Sequence, residues 1–187
     1  GSCSLVCPES VIQEVPRRIG LLQRDQVQSQ LTIQQGELDI GQPLAVPVIA
    51  ELKAWDLDAE IGFEVIDAPP GASCPVVEAV READFVLLVT EPTPFGLHDL
   101  KQAHQVTREM GLPAGVIINR DGVGDQTVDR YCQQVGLPIL MRIPLAEQYA
   151  RGLAVGKTLL EIDPSFHESF QYLLETIRQA VATGVSS

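Results

Sequence analysis

The sequence predicts an α/β protein with a mostly parallel sheet and helices on both faces. Three observations carry this reading. From residue 61 onward, short runs that are apolar nearly throughout recur at 61–66, 85–89, 114–118 and 139–143, interrupted only by Glu64 and Arg142. Runs of this kind fit parallel strands buried on both faces. Between them lie segments with apolar residues at helical spacing, over 76–82, 97–110 and 126–135. Gly111 and Gly136 stand where the second and third of these helices must stop, because glycine takes the left-handed conformation of a helix C-cap without steric cost. Strand, helix, strand repeated three times requires right-handed crossovers within one sheet.

The remaining elements follow in order. Residues 1–18 carry little core-forming pattern and hold Cys3, Cys7, Pro8 and Pro16, which marks them as the end of a small separate unit. Residues 19–22 form a short apolar run. Residues 27–33 place Val27, Ser29, Leu31 and Ile33 on one face with Gln28 and Gln30 on the other, the period of a half-exposed edge strand. Gly36 and Gly41 bracket a turn, and the spacing over 44–52 predicts a short helix, with Pro47 tolerable only in its first turn. The amphipathic segment 166–181 is a final helix opened by Pro164 and Ser165. At 187 residues and 45% hydrophobic, the chain has apolar surface for one main core, and two would be cramped.

Charge narrows the partners. The 25 acidic side chains outweigh 13 basic ones, giving a net charge of −12 with the three histidines neutral. Such a field repels phosphate backbones and anionic lipid, which argues against nucleic acid and membrane surfaces, although a small basic pocket can still hold one nucleotide. No stretch nears the roughly 18 consecutive apolar residues of a membrane span, and no charged start followed by an apolar run marks a secretory leader; the expected location is the cytoplasm. Cys3, Cys7, Cys74 and Cys132 are too few for a secreted disulfide framework and fit reduced thiols or metal ligands.

The most informative stretch is Phe63-Glu64-Val65-Ile66-Asp67-Ala68-Pro69-Pro70-Gly71. An acid at the carboxyl end of a buried strand, followed at once by a tight turn, sits at the rim where open α/β sheets bind ligands. In nucleotidases with a phosphate loop, such a carboxylate holds Mg²⁺ or its water, and a following glycine lets its N–H approach the γ-phosphate. The alternative is an Asp that merely caps a turn.

Continued through Ala72-Ser73-Cys74-Pro75-Val76, this segment is followed by Val89-Thr90-Glu91-Pro92-Thr93-Pro94-Phe95-Gly96-Leu97-His98-Asp99-Leu100 and then by Val116-Ile117-Ile118-Asn119-Arg120. The three motifs in this order resemble the MinD/ParA-like (SIMIBI) P-loop ATPases, in particular the subgroup with an inserted ferredoxin-type 4Fe-4S domain that is often labelled cobyrinic acid a,c-diamide synthase-like. The resemblance runs along nearly the whole chain. It implies that residues 19–187 are the carboxy-terminal part of a MinD/ParA-like nucleotide-binding domain and that residues 1–18 are a remnant of the ferredoxin-like insert.

The resemblance also implies roles. Asp67 matches the family's Mg²⁺-linked acid, and Gly71 the switch glycine that senses the γ-phosphate. Asn119 and Arg120 match the pair at a strand end whose carboxamide can both donate to and accept from an adenine edge, and Pro144 lies where the family packs the chain against the base. Read from the residues alone, Asn119 and Arg120 are a polar strand end with a surface charge. The implied cofactor is ATP or ADP with Mg²⁺, and the implied assembly is a homodimer with a redox partner. The intact protein would be an ATP-binding, ATP-hydrolysing iron–sulfur protein that couples nucleotide state to electron transfer or cluster handling. Two alternatives stand beside it: a truncated interaction module that binds no nucleotide, and a cobyrinic acid a,c-diamide synthase-like amidotransferase. The second needs a glutaminase nucleophile with His and acid partners, a set not apparent here.

The chain departs from the family in one respect. A phosphate loop reads G-x-x-x-x-G-K-[ST] between a strand and a helix, and no such segment occurs. Gly152-Leu153-Ala154-Val155-Gly156-Lys157-Thr158 has three residues between its glycines instead of four and follows a helical stretch, so it reads as a helix end and turn. In the related full-length proteins the loop precedes the ferredoxin insert, and its strand lies in the middle of the sheet. Without that strand the chain is expected to dimerise, to rearrange its sheet or to be marginally stable. Cys3-x-x-x-Cys7-Pro8 matches the last two cysteines of the ferredoxin run C-x₂-C-x₂-C-x₃-C-P; two thiolates do not complete a cluster, so the chain is expected to hold none unaided. Cys74 reads as a redox-sensitive thiol or a small packing residue, with packing favoured, and Cys132 as a core residue. His98 and Asp99 are neighbours that point to different sides of a helix, and His104 and His167 read as surface residues. The last helix, with Arg178 against Glu168 and Glu175, reads as a packing element rather than a lipid anchor.

Overall fold

The computed structural model describes residues 2–9, 11–28, 31–55 and 62–184, and packing divides the chain into two units, Gly1–Val65 and Ile66–Ser187. The hairpin and helix that follow residue 18 pack with one another within the first unit.

The first unit holds α1 (Ser2–Val6), β1 (Gly20–Gln28), β2 (Leu31–Leu38) and α2 (Val46–Lys53). β1 and β2 form an antiparallel hairpin whose register runs from Gly20 opposite Leu38 to Gln28 opposite Leu31, with an irregularity between Gln26 and Gln28. Residues 27–33, expected as one edge strand, are thus split between two arms: Val27 belongs to β1, whereas Leu31 and Ile33 belong to β2. Ser29 lies outside the described residues. A period of two is the same in both arms of a hairpin, and no Gly, Pro or Asn announces the reversal. α2 forms as expected with its proline in the first turn. It lies across the hairpin so closely that a Cβ on Gly36 would approach Val48 Cγ1 to 2.8 Å.

The second unit is the α/β body: α3 (Cys74–Val80), β3 (Val86–Thr90), α4 (Pro94–Glu109), β4 (Ala114–Asp121), α5 (Thr127–Val135), β5 (Ile139–Pro144), α6 (Glu147–Ala154), α7 (Leu159–Ile162) and α8 (Phe166–Thr183). The strands pair in the order β3-β4-β5, all parallel. Helices cover both faces. On one, Leu88, Val116 and Ile118 pack with Leu100 of α4 and Val128 and Cys132 of α5. On the other, Ile117 and Met141 pack with Phe166 and Leu173 of α8. α8 is thus a packing element, as its composition suggested. Gly111 and Gly136 stop α4 and α5 with φ of 69° and 71°, and the Leu137 N–H returns to the Cys132 carbonyl at 2.9 Å. No helix among the described residues is long and apolar enough to cross a membrane.

Two expectations need correction. Ile61 lies outside the described residues, and residues 62–66 form no strand. Val65 is 86% exposed, with Phe63 and Ile66 also open to solvent. A strand is held by its ladder, and among the described residues no strand pairs with this one. His104, expected at the surface, is only 5% exposed. It lies on the inward side of α4, with Nδ1 2.8 Å from the Tyr131 hydroxyl and the two rings edge to face.

Burial pushes the His104 pKa down, and the Arg108 charge lowers it further. The unfolded chain therefore binds this proton more tightly. The stability contributed by neutral His104 is complete above the unfolded value near 6.5 and is lost as pH falls through the lower folded value. Urea unfolding from about pH 7.5 to about pH 5 should lose stability more steeply in the wild type than in His104→Gln, which does not titrate; parallel profiles would remove His104 from this linkage.

Candidate functional site

The carboxyl ends of β3, β4 and β5 form one rim of the parallel sheet, the side on which open α/β sheets hold ligands. At the end of β3 the chain folds tightly onto itself. The Thr90 hydroxyl, buried, donates to the Gly96 carbonyl at 2.9 Å, and Thr93 caps α4 by accepting the Gly96 N–H at 3.0 Å. Gly96 has no room for a Cβ because the Glu91 carbonyl oxygen occupies that space. Pro94 then opens the helix, where its missing N–H costs nothing. Thr90, Thr93, Pro94 and Gly96 thus each have a local structural role. The Pro92 carbonyl also lies against Gly124, which has a φ of 89° and likewise no space for a Cβ, so the loops after β3 and β4 are locked together.

At the end of β4 the register with β5 slips between Asn119 and Asp121. Asn119 stands opposite Ile143, Asp121 opposite Pro144, and Arg120 is the extra residue of this bulge. Its backbone is left-handed, with φ of 53°, a conformation that costs a non-glycine residue about 1–2 kcal/mol. The Arg120 N–H donates to the Asn119 side-chain oxygen at 3.0 Å, and the Arg120 guanidinium reaches Glu91 Oε1 at 3.3 Å. Both partners of that ion pair are substantially exposed, so it is worth only a fraction of a kcal/mol up to about 1 kcal/mol; its effect is to orient the arginine across the rim. Backbone strain and bulges of this kind re-aim side chains at functional positions. With its oxygen engaged, half-buried Asn119 retains two amide donors.

Arg142 of β5 pairs with Asp121 at 3.4 Å and with Asp129 of α5. The Asp129 hydrogen bond, the chief cause, and the neighbouring carboxylates raise the Arg142 pKa above its ordinary value. This triad fastens the end of β4 to the adjoining helix.

The structure gathers Asn119, Arg120 and Pro144 at this rim through the β4–β5 register. Asp67 and Gly71 instead lie on an exposed stretch without strand pairing, and Gly71 takes a φ of 91°, the left-handed turn that its position after two prolines requires. Cys74 is exposed in the first turn of α3, against the favoured packing reading, while Cys132 is buried. Cys3 is exposed and Cys7 half-buried. Among the described residues no three or more His, Cys, Asp or Glu side chains come together as a metal site; Cys3 and Cys7 are two of the four thiolates that a ferredoxin-type cluster takes. Residues 152–158 are the end of α6 and a turn, with Thr158 and Glu161 forming a reciprocal cap on α7. Sequence reasoning assigned nothing to Glu91, although it lies inside the quoted motif. It also missed the Arg142 triad, whose members are separated along the chain and announced by no pattern.

The fold is that of an α/β protein with a parallel sheet covered by helices, similar to the fold of MinD/ParA P-loop ATPases. The structure resembles that of the cell division ATPase MinD of Pyrococcus furiosus, with a TM-score of 0.56 and 26% identity, over 70% of this chain and 57% of that one. In sequence, the chain is 34% identical over 90 residues to the uncharacterized protein MJ0579 of Methanocaldococcus jannaschii and 28% identical over 92 residues to the uncharacterized protein MJ0578 of the same organism. Each match takes in 48% of this chain and about a third of the relative, 34% and 33%. No family profile matches the chain.

The lock between the two loops is open to test. Gly124→Ala should destabilise the body by about 1–3 kcal/mol, since it combines a left-handed backbone with a clash against the Pro92 carbonyl. Gly122→Ala, also left-handed but with nothing near its Cβ, should cost less in the same denaturation experiment. Equal losses would mean that the contact with Pro92 contributes nothing.

Proposed function

We propose that this chain supplies the Mg²⁺, switch and base-binding half of the ATP site in a MinD/ParA-type ATPase. The observation that carries the reading is the bulge at the end of β4, where Arg120 is the extra, left-handed residue directly after Asn119, the two standing at the carboxyl-end rim beside the end of β5 at Pro144. Asn119 would meet the adenine edge, Arg120 would lie over the same end of the site under the hold of Glu91, and Pro144 would back the base. Asp67 would serve the Mg²⁺ and Gly71 the γ-phosphate. Their exposed stretch would have to join the sheet, through a strand that pairs with 62–66, before it faces the rim. The phosphate cradle would have to come from polypeptide outside these 187 residues, because no such loop occurs within them.

In the intact protein, Cys3 and Cys7 would be the end of a ferredoxin-like insert spanning residues 1–18, its clusters completed by further cysteines and linked to the nucleotide state through a redox partner. The family resemblance and the Cys3-x-x-x-Cys7-Pro8 spacing support this part. The alternative of an interaction module without nucleotide draws support from the absence of a phosphate loop in the sequence. The cytoplasm is the proposed location.

The chain alone should hydrolyse ATP negligibly, because the backbone cradle and its lysine provide most of the charge stabilisation in phosphoryl transfer, and their loss costs several orders of magnitude. A steady-state phosphate-release assay checks this. Mg²⁺-dependent turnover at the level of ordinary ATPases, abolished by Asp67→Ala, would place a complete site within these residues.

Assembly provides a second test. Among the described residues β3 pairs on one side only, and Val89 is 61% exposed on the sheet; an open edge and bare apolar surface recruit another strand. Light scattering should find a dimer, or thermal unfolding a broad, low transition. A monomer with an ordinary cooperative transition would show that the sheet needs no further strand.

A further inference from the structure

The outer side of α4 and α5 carries a feature that the rim does not use. Two contiguous hollows between these helices, of about 500 and 610 Å³, share Lys101 and Tyr131 in their walls. Arg130 of α5 borders one and Arg108 of α4 the other, and all three cations are exposed. Tyr131 forms the floor. Its ring centre lies 5.4 Å from the Lys101 ammonium, and its hydroxyl is held by His104. The acids nearby are engaged: Glu109 accepts from Gln105 Nε2 at 2.8 Å, and Asp125 accepts from the Thr127 N–H at 2.9 Å. Those hydrogen bonds leave the carboxylate charges in place, but Lys101, Arg108 and Arg130 outnumber Glu109, the one acid in the groove lining, so the groove is net positive within a chain of net charge −12.

We propose that this groove is a docking site for an acidic segment of a partner polypeptide. Charge and dimensions set the chemistry. Lys101 and Arg108 stand seven positions apart on one helix, about 10 Å, which an extended peptide spans in about three residues. Arg130 adds a third cation across the groove. The matching ligand carries two or three carboxylates over about five extended residues, with one apolar or aromatic side chain against Tyr131. Nucleic acid fits poorly, because its backbone charge continues past the three cations of the groove on a chain of net charge −12. A short acidic segment ends where the cations end. This reading does not depend on nucleotide binding at the rim.

The test uses a fluorescein-labelled peptide with Glu-Ser-Phe-Asp-Glu at its centre, the same peptide with Gln and Asn in place of the acids, and a labelled single-stranded oligonucleotide of matched charge. Fluorescence anisotropy at low salt should give saturable binding of the acidic peptide, at least tenfold tighter than the amide version and weakened by added salt. The exposed-residue variant Lys101→Glu/Arg108→Glu/Arg130→Glu should lose at least tenfold in affinity while keeping its circular dichroism spectrum, and Lys101→Arg/Arg108→Lys/Arg130→Lys should bind like the wild type. Unchanged binding by the charge-reversed variant, or no saturable binding of the acidic peptide, would overturn the proposal. Equal or tighter binding of the oligonucleotide would assign the groove to nucleic acid instead. Self-association abolished by the charge reversal would assign it to a second copy of the chain.

Discussion

The second unit depends on β4. It is the one described strand of the parallel sheet with a ladder on both sides, and Val116 and Ile118 are fully excluded from solvent. A strand in that position must satisfy its N–H and C=O groups from both neighbours and fill two cores with alternate side chains. Leu88 and Val128 meet it on one face and Phe166 and Leu173 on the other, so the helices are placed by what β4 presents. The same strand then carries its last residues, Asn119 to Asp121, out to the rim.

Rigid ladder and strained exit belong together. Up to Ile118 the strand is held by continuous packing; beyond it, the slip in register turns Arg120 left-handed. The conformation persists because its surroundings over-determine it: the Asn119 carboxamide takes the Arg120 N–H, Leu145 donates back to the Asp121 carbonyl, and Arg142 grips the Asp121 carboxylate. The loop after β3 supplies the other half of the rim, and Gly96 and Gly124 are the two points where only a hydrogen in place of a side chain lets the backbones approach. A rim built this way holds its polar groups in fixed positions.

The resemblance in architecture to a cell-division ATPase and the exposed Asp67–Gly71 stretch point to the same physical gap. Asn119, Arg120 and Pro144 stand at the rim, whereas Asp67 and Gly71 lie on an exposed segment outside the described strands. An apolar run such as 62–66 gains little from staying extended unless a neighbour pairs with it and covers Val65 and Ile66. The proposed function therefore turns on one strand pairing rather than on any single catalytic side chain.

Much was legible in the sequence, because local pattern carries it. The strands at 86–90, 114–121 and 139–144 follow from continuous apolar runs, the helix stops from Gly111 and Gly136, and the false phosphate loop from a spacing one residue short. Tertiary structure decided the rest. It split 27–33 between two strands, since alternation is blind to a reversal, and formed no strand at 62–66, since a strand exists only with its ladder. It buried His104 against Tyr131, 27 positions away. It also joined Glu91 to Arg120 and Arg142 to Asp121 and Asp129. Those contacts depend on which strands lie side by side and in what register, and register is a property of the assembled sheet that no single stretch of sequence contains.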